Sequence, residues 1–99
     1  MKFVKNAVAG TIESNDIKII ISANENAGIE IELESVVEKQ FGKQIRKVIK
    51  ETLEKLEIDN VKIVAMDKGA LDYTIRSRVA CAVYRACEIE GDFNWEVFD

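Results

Sequence analysis

Ile17, Ile19 and Ile21 alternate along the chain with Asp16, Lys18 and Ile20, and Ile29, Ile31 and Leu33 alternate with Glu30, Glu32 and Glu34. A two-residue period puts each apolar set on one side of an extended chain, so both segments predict strands with one buried face. The seven residues between them, Ser22-Ala23-Asn24-Glu25-Asn26-Ala27-Gly28, are rich in turn formers and predict an antiparallel connection. A shorter strand is predicted over Ala7 to Ile12, weakened by Gly10, and Glu13-Ser14-Asn15-Asp16 predicts the turn that leads into Ile17.

At Ser35 the period changes. Ser35-Val36-Val37-Glu38 has the spacing of a capping box, in which the Ser hydroxyl accepts from a first-turn amide and the Glu side chain reaches back to the cap. Apolar residues then recur at Val37, Phe41, Ile45, Val48, Ile49, Leu53 and Leu56, the three-and-four spacing of an amphipathic helix. Gly42 lies inside that helix at a cost of about 1 kcal/mol relative to Ala. Glu57 to Asn60 ends it, and Val61, Ile63 and Ala65 alternate with Lys62, Val64 and Met66 as a fourth strand.

Asp67 can cap a second helix that starts after Asp67-Lys68-Gly69. Leu71, Ile75, Val79, Ala82, Val83 and Ala86 form its apolar stripe, with Arg76, Arg78 and Arg85 off it. The order β-β-β-α-β-α, with one apolar face per element, predicts an α+β two-layer sandwich: a mainly antiparallel sheet covered on one face by two helices. The strand isoleucines and Leu33 are expected to meet Phe41, Ile45, Val48, Ile75 and Val79 in one core. The pattern leaves the order of strands in the sheet open.

A chain of 99 residues, 47% of them apolar, suits a single domain over 1–99 that ends in a short aromatic tail, 91–99. The net charge of -4 argues against the broad basic footprint of a nucleic-acid binder. The sequence has no histidine, which excludes Ser-His-Asp and Cys-His mechanisms and His-based metal sites. Its apolar runs are far too short to span a membrane, and Met-Lys-Phe-Val-Lys-Asn lacks the apolar core of a secretion signal, so a cytoplasmic protein without a membrane partner is expected. Cys81 and Cys87 lie six residues apart on the second predicted helix, about 120° apart around its axis. They are expected to be free, buried or half-buried thiols.

Three features are candidates for function. Ser14 sits in the turn Glu13–Asp16, where a hydroxyl either satisfies local backbone groups or stands exposed as an acceptor for covalent modification. Without a histidine to activate it, it suits a modification acceptor better than a nucleophilic catalyst. Lys39, Lys43, Arg46, Lys47 and Lys50 gather cations on the first helix, either as a solvated face or as a docking surface for a phosphate-bearing group or an acidic partner. The aromatics of the tail, Phe93, Trp95 and Phe98, either fold over the core edge or dock a partner. A small protein-interaction module using the basic helix face or the tail is therefore one reading of the chain. The carboxylates form no pair in sequence that identifies an acid/base site.

Three blocks carry a resemblance. Ala9-Gly10-Thr11-Ile12-Glu13-Ser14-Asn15-Asp16, then Val37-Glu38-Lys39-Gln40-Phe41-Gly42, then Asp67-Lys68-Gly69-Ala70-Leu71-Asp72 with Ile75-Arg76-Ser77-Arg78, are collinear with the citrate lyase acyl carrier protein family, also called the gamma subunit. The resemblance implies a non-catalytic carrier rather than an enzyme, with Ser14 as the attachment residue for a covalent 2'-(5''-phosphoribosyl)-3'-dephospho-CoA group, joined through a phosphodiester. It also implies acetyl and citryl thioesters carried on that arm while citrate is cleaved to acetate and oxaloacetate. The implied partners are the alpha (acyltransferase) and beta (citryl lyase) subunits and a prosthetic-group transferase. Tyr73 stands where the resemblance leads one to expect Cys, which removes any case for a reactive thiol there. A carrier needs few catalytic side chains of its own, since the cofactor and the partners supply the chemistry.

Overall fold

The structure, a computed structural model, describes residues 3–88; the aromatic tail over 91–99 lies outside the described residues. Its elements run β1 (Ala7–Ala9), β2 (Ile17–Ala23), β3 (Glu30–Ser35), α1 (Glu38–Lys55), β4 (Val61–Asp67) and α2 (Asp72–Ala86). This is the α+β arrangement and element order expected from the two periodicities. One four-stranded sheet has the order β1-β2-β4-β3. β1 pairs antiparallel with β2 and β2 with β4, whereas β3 runs parallel to β4.

The parallel pair follows from chain length. An 18-residue helix between β3 and β4 carries the chain back to the end where β3 began, which a tight hairpin cannot do. The segment after β2 does join two strands of opposite direction, as its turn-rich composition predicts, but they are not neighbours, because β4 lies between β2 and β3. Its loop is tied instead to the entry of β4: Asn24 donates its backbone N–H to the Asn60 carbonyl (2.9 Å) and Gly28 donates to Asn60 Oδ1 (2.7 Å).

Both helices cover one face of the sheet. Ile17, Ile19 and Ile21 of β2 and Val61, Ile63 and Ala65 of β4 are buried under Ile45, Val48, Ile49 and Leu53 of α1 and Ile75, Val79 and Val83 of α2. β3 is an edge strand, so Ile31 and Leu33 are only partly buried, while Glu30, Glu32 and Glu34 point to solvent. Ile58, after α1, and Tyr84 of α2 add to the core beyond the predicted stripes. Among the described residues no helix is long and apolar enough to cross a membrane.

Four expectations are corrected. β1 stops at Ala9 rather than Ile12, because Gly10 takes φ +84° and turns the chain out of the sheet. Phe41 is 52% exposed and Leu71 60% exposed, so neither belongs to the core. Phe41 lies in the first turn of α1 and Leu71 just before α2, and the two line a groove between the starts of the helices instead of the layer between helices and sheet. Ser35 does not cap α1 as a box. It stays in β3, accepts from the Val37 amide (3.1 Å) and donates its hydroxyl to Asp67 Oδ2 (2.7 Å), its register partner on β4. Glu38 meanwhile takes Arg46 Nη2 at 2.6 Å instead of reaching back.

Candidate functional site

The strand ends at Ile17, Asp67 and Ser35 are level in the sheet, and two connections converge beside them: the β1–β2 loop, residues 10–16, and the β4–α2 segment, residues 68–71. Ser14 lies at the tip of the first. Asp16 donates its amide to the Glu13 carbonyl (3.1 Å), closing a four-residue turn with Ser14 second and Asn15 third. Asn15 has φ +64°, the left-handed conformation that the third position of a type II turn requires and that Asn tolerates. Ser14 is exposed, and among the described residues its hydroxyl takes part in no hydrogen bond. The sequence left open whether that hydroxyl serves the turn; in the structure the turn is held by other groups.

Asp16 is the principal one. Its carboxylate accepts from the Thr11 amide and hydroxyl, the Ile17 amide, and Nε (2.9 Å) and Nη2 (3.0 Å) of Arg78 on α2. Burial alone would raise its pKa, but the bonds from Arg78, Thr11 and Ile17 outweigh that and lower it from 3.8 to about 2. The same pairing raises the Arg78 pKa. Gly10 permits the close approach this requires, since a Cβ there would stand 1.8 Å from the Ile17 carbonyl oxygen and 3.1 Å from Arg78 Cδ.

Asp67 organises the second connection. Its side chain, 1% exposed, accepts from Ser35 Oγ and from the amides of Gly69 (3.1 Å) and Ala70 (3.0 Å). It therefore gathers amides near α2 as anticipated, but two residues short of the helix, which begins at Asp72 after Leu71. Two backbone bonds join the connections, Asn15 N–H to the Lys68 carbonyl (2.8 Å) and Lys68 N–H to the Asp16 carbonyl (2.9 Å). Lys68 and Ile12 line one half-open cavity of about 210 Å³ with Glu34, Ser35, Val36, Met66 and Asp67. A more apolar groove of about 310 Å³ lies between Phe41, Ile45 and Leu71 at the same end of the fold.

Sequence reasoning placed Ser14 in this turn but gave no part in bracing it to Thr11, Asp16, Lys68 or Arg78. Asp16 and Arg78 stand 62 positions apart, with no local pattern to link them. The other candidates stay separate from this site. Lys39, Lys43, Lys47 and Lys50 are exposed on α1; Lys47 pairs with Glu51 (3.8 Å) and Arg46 with Glu38. Cys81 and Cys87 are free and half-buried, and burial pushes the Cys87 thiol pKa up. Tyr73 is exposed in the first turn of α2.

The sequence profile of the acyl carrier family described as malonate decarboxylase delta subunit (MdcD) matches residues 4–86. The citrate lyase acyl carrier protein of Streptococcus mutans is 48% identical over 99 residues, all of this chain and 96% of that one. The citrate lyase acyl carrier protein of Lactiplantibacillus plantarum is 54% identical over 97 residues, 98% of this chain and 99% of that one. The chain belongs to the citrate lyase acyl carrier protein family. It is an acyl carrier, and the resemblance of its three sequence blocks is borne out over its whole length. The fold recurs in a chain of a Pseudomonas malonate decarboxylase hetero-tetramer in complex with malonate (TM-score 0.72, 15% identity, 83% of the carrier and 84% of that chain). It recurs also within a homoserine kinase from Cytophaga hutchinsonii (TM-score 0.58, 12% identity, 88% of the carrier and 35% of that chain). At those identities the fold alone is shared.

Proposed function

We propose that the chain is a single carrier domain of a citrate lyase, and that Ser14 is the residue to which its prosthetic arm is joined through a phosphodiester. The observation that carries this reading is an exposed hydroxyl, free of internal hydrogen bonds, at the tip of a turn whose backbone is braced on both sides. The residues fit a phosphoribosyl-dephospho-CoA group. Replacing the hydroxyl hydrogen by phosphorus breaks no internal bond, and a turn held by Asp16 rather than by Ser14 survives the change. The thiol of that group, when attached, supplies the acyl-carrying chemistry, acetyl and citryl thioesters in the cleavage of citrate to acetate and oxaloacetate.

The chain's own part is to present Ser14. The Asp16–Arg78 pair ties the loop to α2, and the Asn15 and Lys68 bonds tie it to β4, so the attachment point is fixed relative to the folded body. A fixed origin narrows the volume that a flexible arm must search and raises the effective concentration of its far end at a receiving site. The partners implied are the alpha and beta subunits, which would receive the arm, and a transferase that loads it; the named relatives support this assignment.

Intact-mass measurement and peptide mapping test the reading, on protein made in a host with the attachment machinery. All added mass is expected on the peptide that holds Ser14, and none in Ser14→Ala. Because the hydroxyl has no internal partner, that substitution is expected to change folding stability by about 0.5 kcal/mol or less. Loading of the Ser14→Ala protein would overturn the assignment.

A further inference from the structure

The cavity beside the Ser14 loop has a mixed lining: apolar surface from Ile12, Val36 and Met66, one cation at Lys68 and one outward carboxylate at Glu34. Its second carboxylate, Asp67, already receives Ser35 Oγ and two amides, so it is not available to a ligand. Lys68 forms no ion pair among the described residues. Its backbone is hydrogen-bonded to Asn15 and Asp16, which holds the Lys68 main chain beside the Ser14 turn. On the loop itself the neighbouring charges are acidic, Glu13 beside Ser14 and Asp16, the latter neutralised by Arg78. A phosphodiester on Ser14 adds another negative charge there, and Lys68, whose backbone is bonded to the next two residues of the loop, brings a cation without an ion pair among the described residues to the same end of the fold.

We infer that this cavity is a docking seat on the carrier for the near end of the arm, with Lys68 facing the phosphodiester and Ile12, Val36 and Met66 taking the planar base that lies one ribosyl unit beyond it. The inference rests on the Ser14 attachment reading. The chemistry matches on each side: an ammonium group binds a phosphate oxygen by charge-assisted hydrogen bonds, and Glu34 accepts from sugar hydroxyls or a base amino group. Size supports one ring system rather than a whole arm, since about 210 Å³ is below the range of pockets that enclose drug-sized ligands. The far, thiol-bearing end therefore extends beyond the seat while the near end is held.

The test compares unloaded and loaded full-length protein by NMR, with loading verified by mass. Docking is expected to shift signals of Ile12, Val36, Met66 and Lys68 as well as those of Glu13 to Asn15, and to give cross-relaxation between ring protons of the arm and the Ile12 and Val36 methyls. The phosphorus signal of the diester is expected to move in Lys68→Gln and to return in Lys68→Arg. Shifts confined to Glu13–Asn15, without cross-relaxation, would overturn the seat while leaving attachment intact. An unloaded wild-type protein would overturn the attachment reading itself, and the seat with it. If Lys68→Gln is not loaded, the wild-type comparison still decides.

Discussion

The brace under the Ser14 turn has a measurable energetic signature. Asp16 is 13% exposed at its side chain and accepts five hydrogen bonds, two of them from Arg78, whose side chain is 40% exposed. A carboxyl lowered from 3.8 to about 2 corresponds to roughly 2 kcal/mol of preference for the ionised folded state. Water around the half-exposed Arg78 screens the pair, which reduces the expected contribution to about 1–2 kcal/mol. A folded pKa below the unfolded one means that the unfolded chain binds the proton first as pH falls. The contribution is therefore complete above about pH 4 and is lost progressively down to about pH 2. Near neutrality, Asp16→Asn and Arg78→Met are each expected to lower the unfolding free energy in urea. Their double-mutant cycle is expected to return a coupling of about 1–2 kcal/mol. The gap between wild type and Asp16→Asn should narrow as pH falls through that window. Hydrogen exchange at the Asn15 amide, which bonds the Lys68 carbonyl, should accelerate in both variants. A coupling near zero, or a gap that does not change between neutrality and about pH 2, would refute the assignment of the brace to this pair.

Gly10→Ala is expected to destabilise the fold by about 2–4 kcal/mol, because φ +84° disfavours a side chain and its Cβ would overlap the Ile17 carbonyl oxygen; a thermal midpoint equal to wild type would show that the loop yields freely. Phe41→Ala is expected to cost about 1 kcal/mol or less in denaturant unfolding, against about 3–5 kcal/mol for a buried Phe, since half of its surface is already in water.

The same variants mark where the sequence was legible and where it was not. Period-two runs at Ile17–Ile21 and Val61–Ala65 name buried residues directly, because a strand between a helical layer and solvent has no other way to sort its side chains. Periodicity says only which face a residue is on, not whether anything covers that face. Phe41 continues the α1 stripe in register with Ile45, yet it is half exposed and lines a groove with Leu71. Ser35 shows the complementary limit. Its capping box is a local pattern, and a non-local partner outcompetes it, since the parallel register of β3 on β4 brings the Asp67 carboxylate to its hydroxyl. That register depends on strand order, which the pattern does not encode.

The site divides along the same line. The turn that holds Ser14 was legible because a turn is a local event, and it lies in the first of the three collinear blocks. The brace beneath the proposed attachment point was not, because it joins Asp16 at the entry of β2 to Arg78 in the middle of α2. On α2, Arg78 sits beside the apolar stripe and looks like any solvated arginine until the sheet places β2 next to it. The division has a physical cause. An attached group needs an oxygen without internal obligations, so the proposed attachment residue itself contributes little to the fold. The stability of its position must then come from residues elsewhere, drawn together by tertiary structure. A substitution at Ser14 should consequently alter loading and leave stability nearly unchanged, while substitutions at Gly10, Asp16 or Arg78 should alter stability with the hydroxyl still in place.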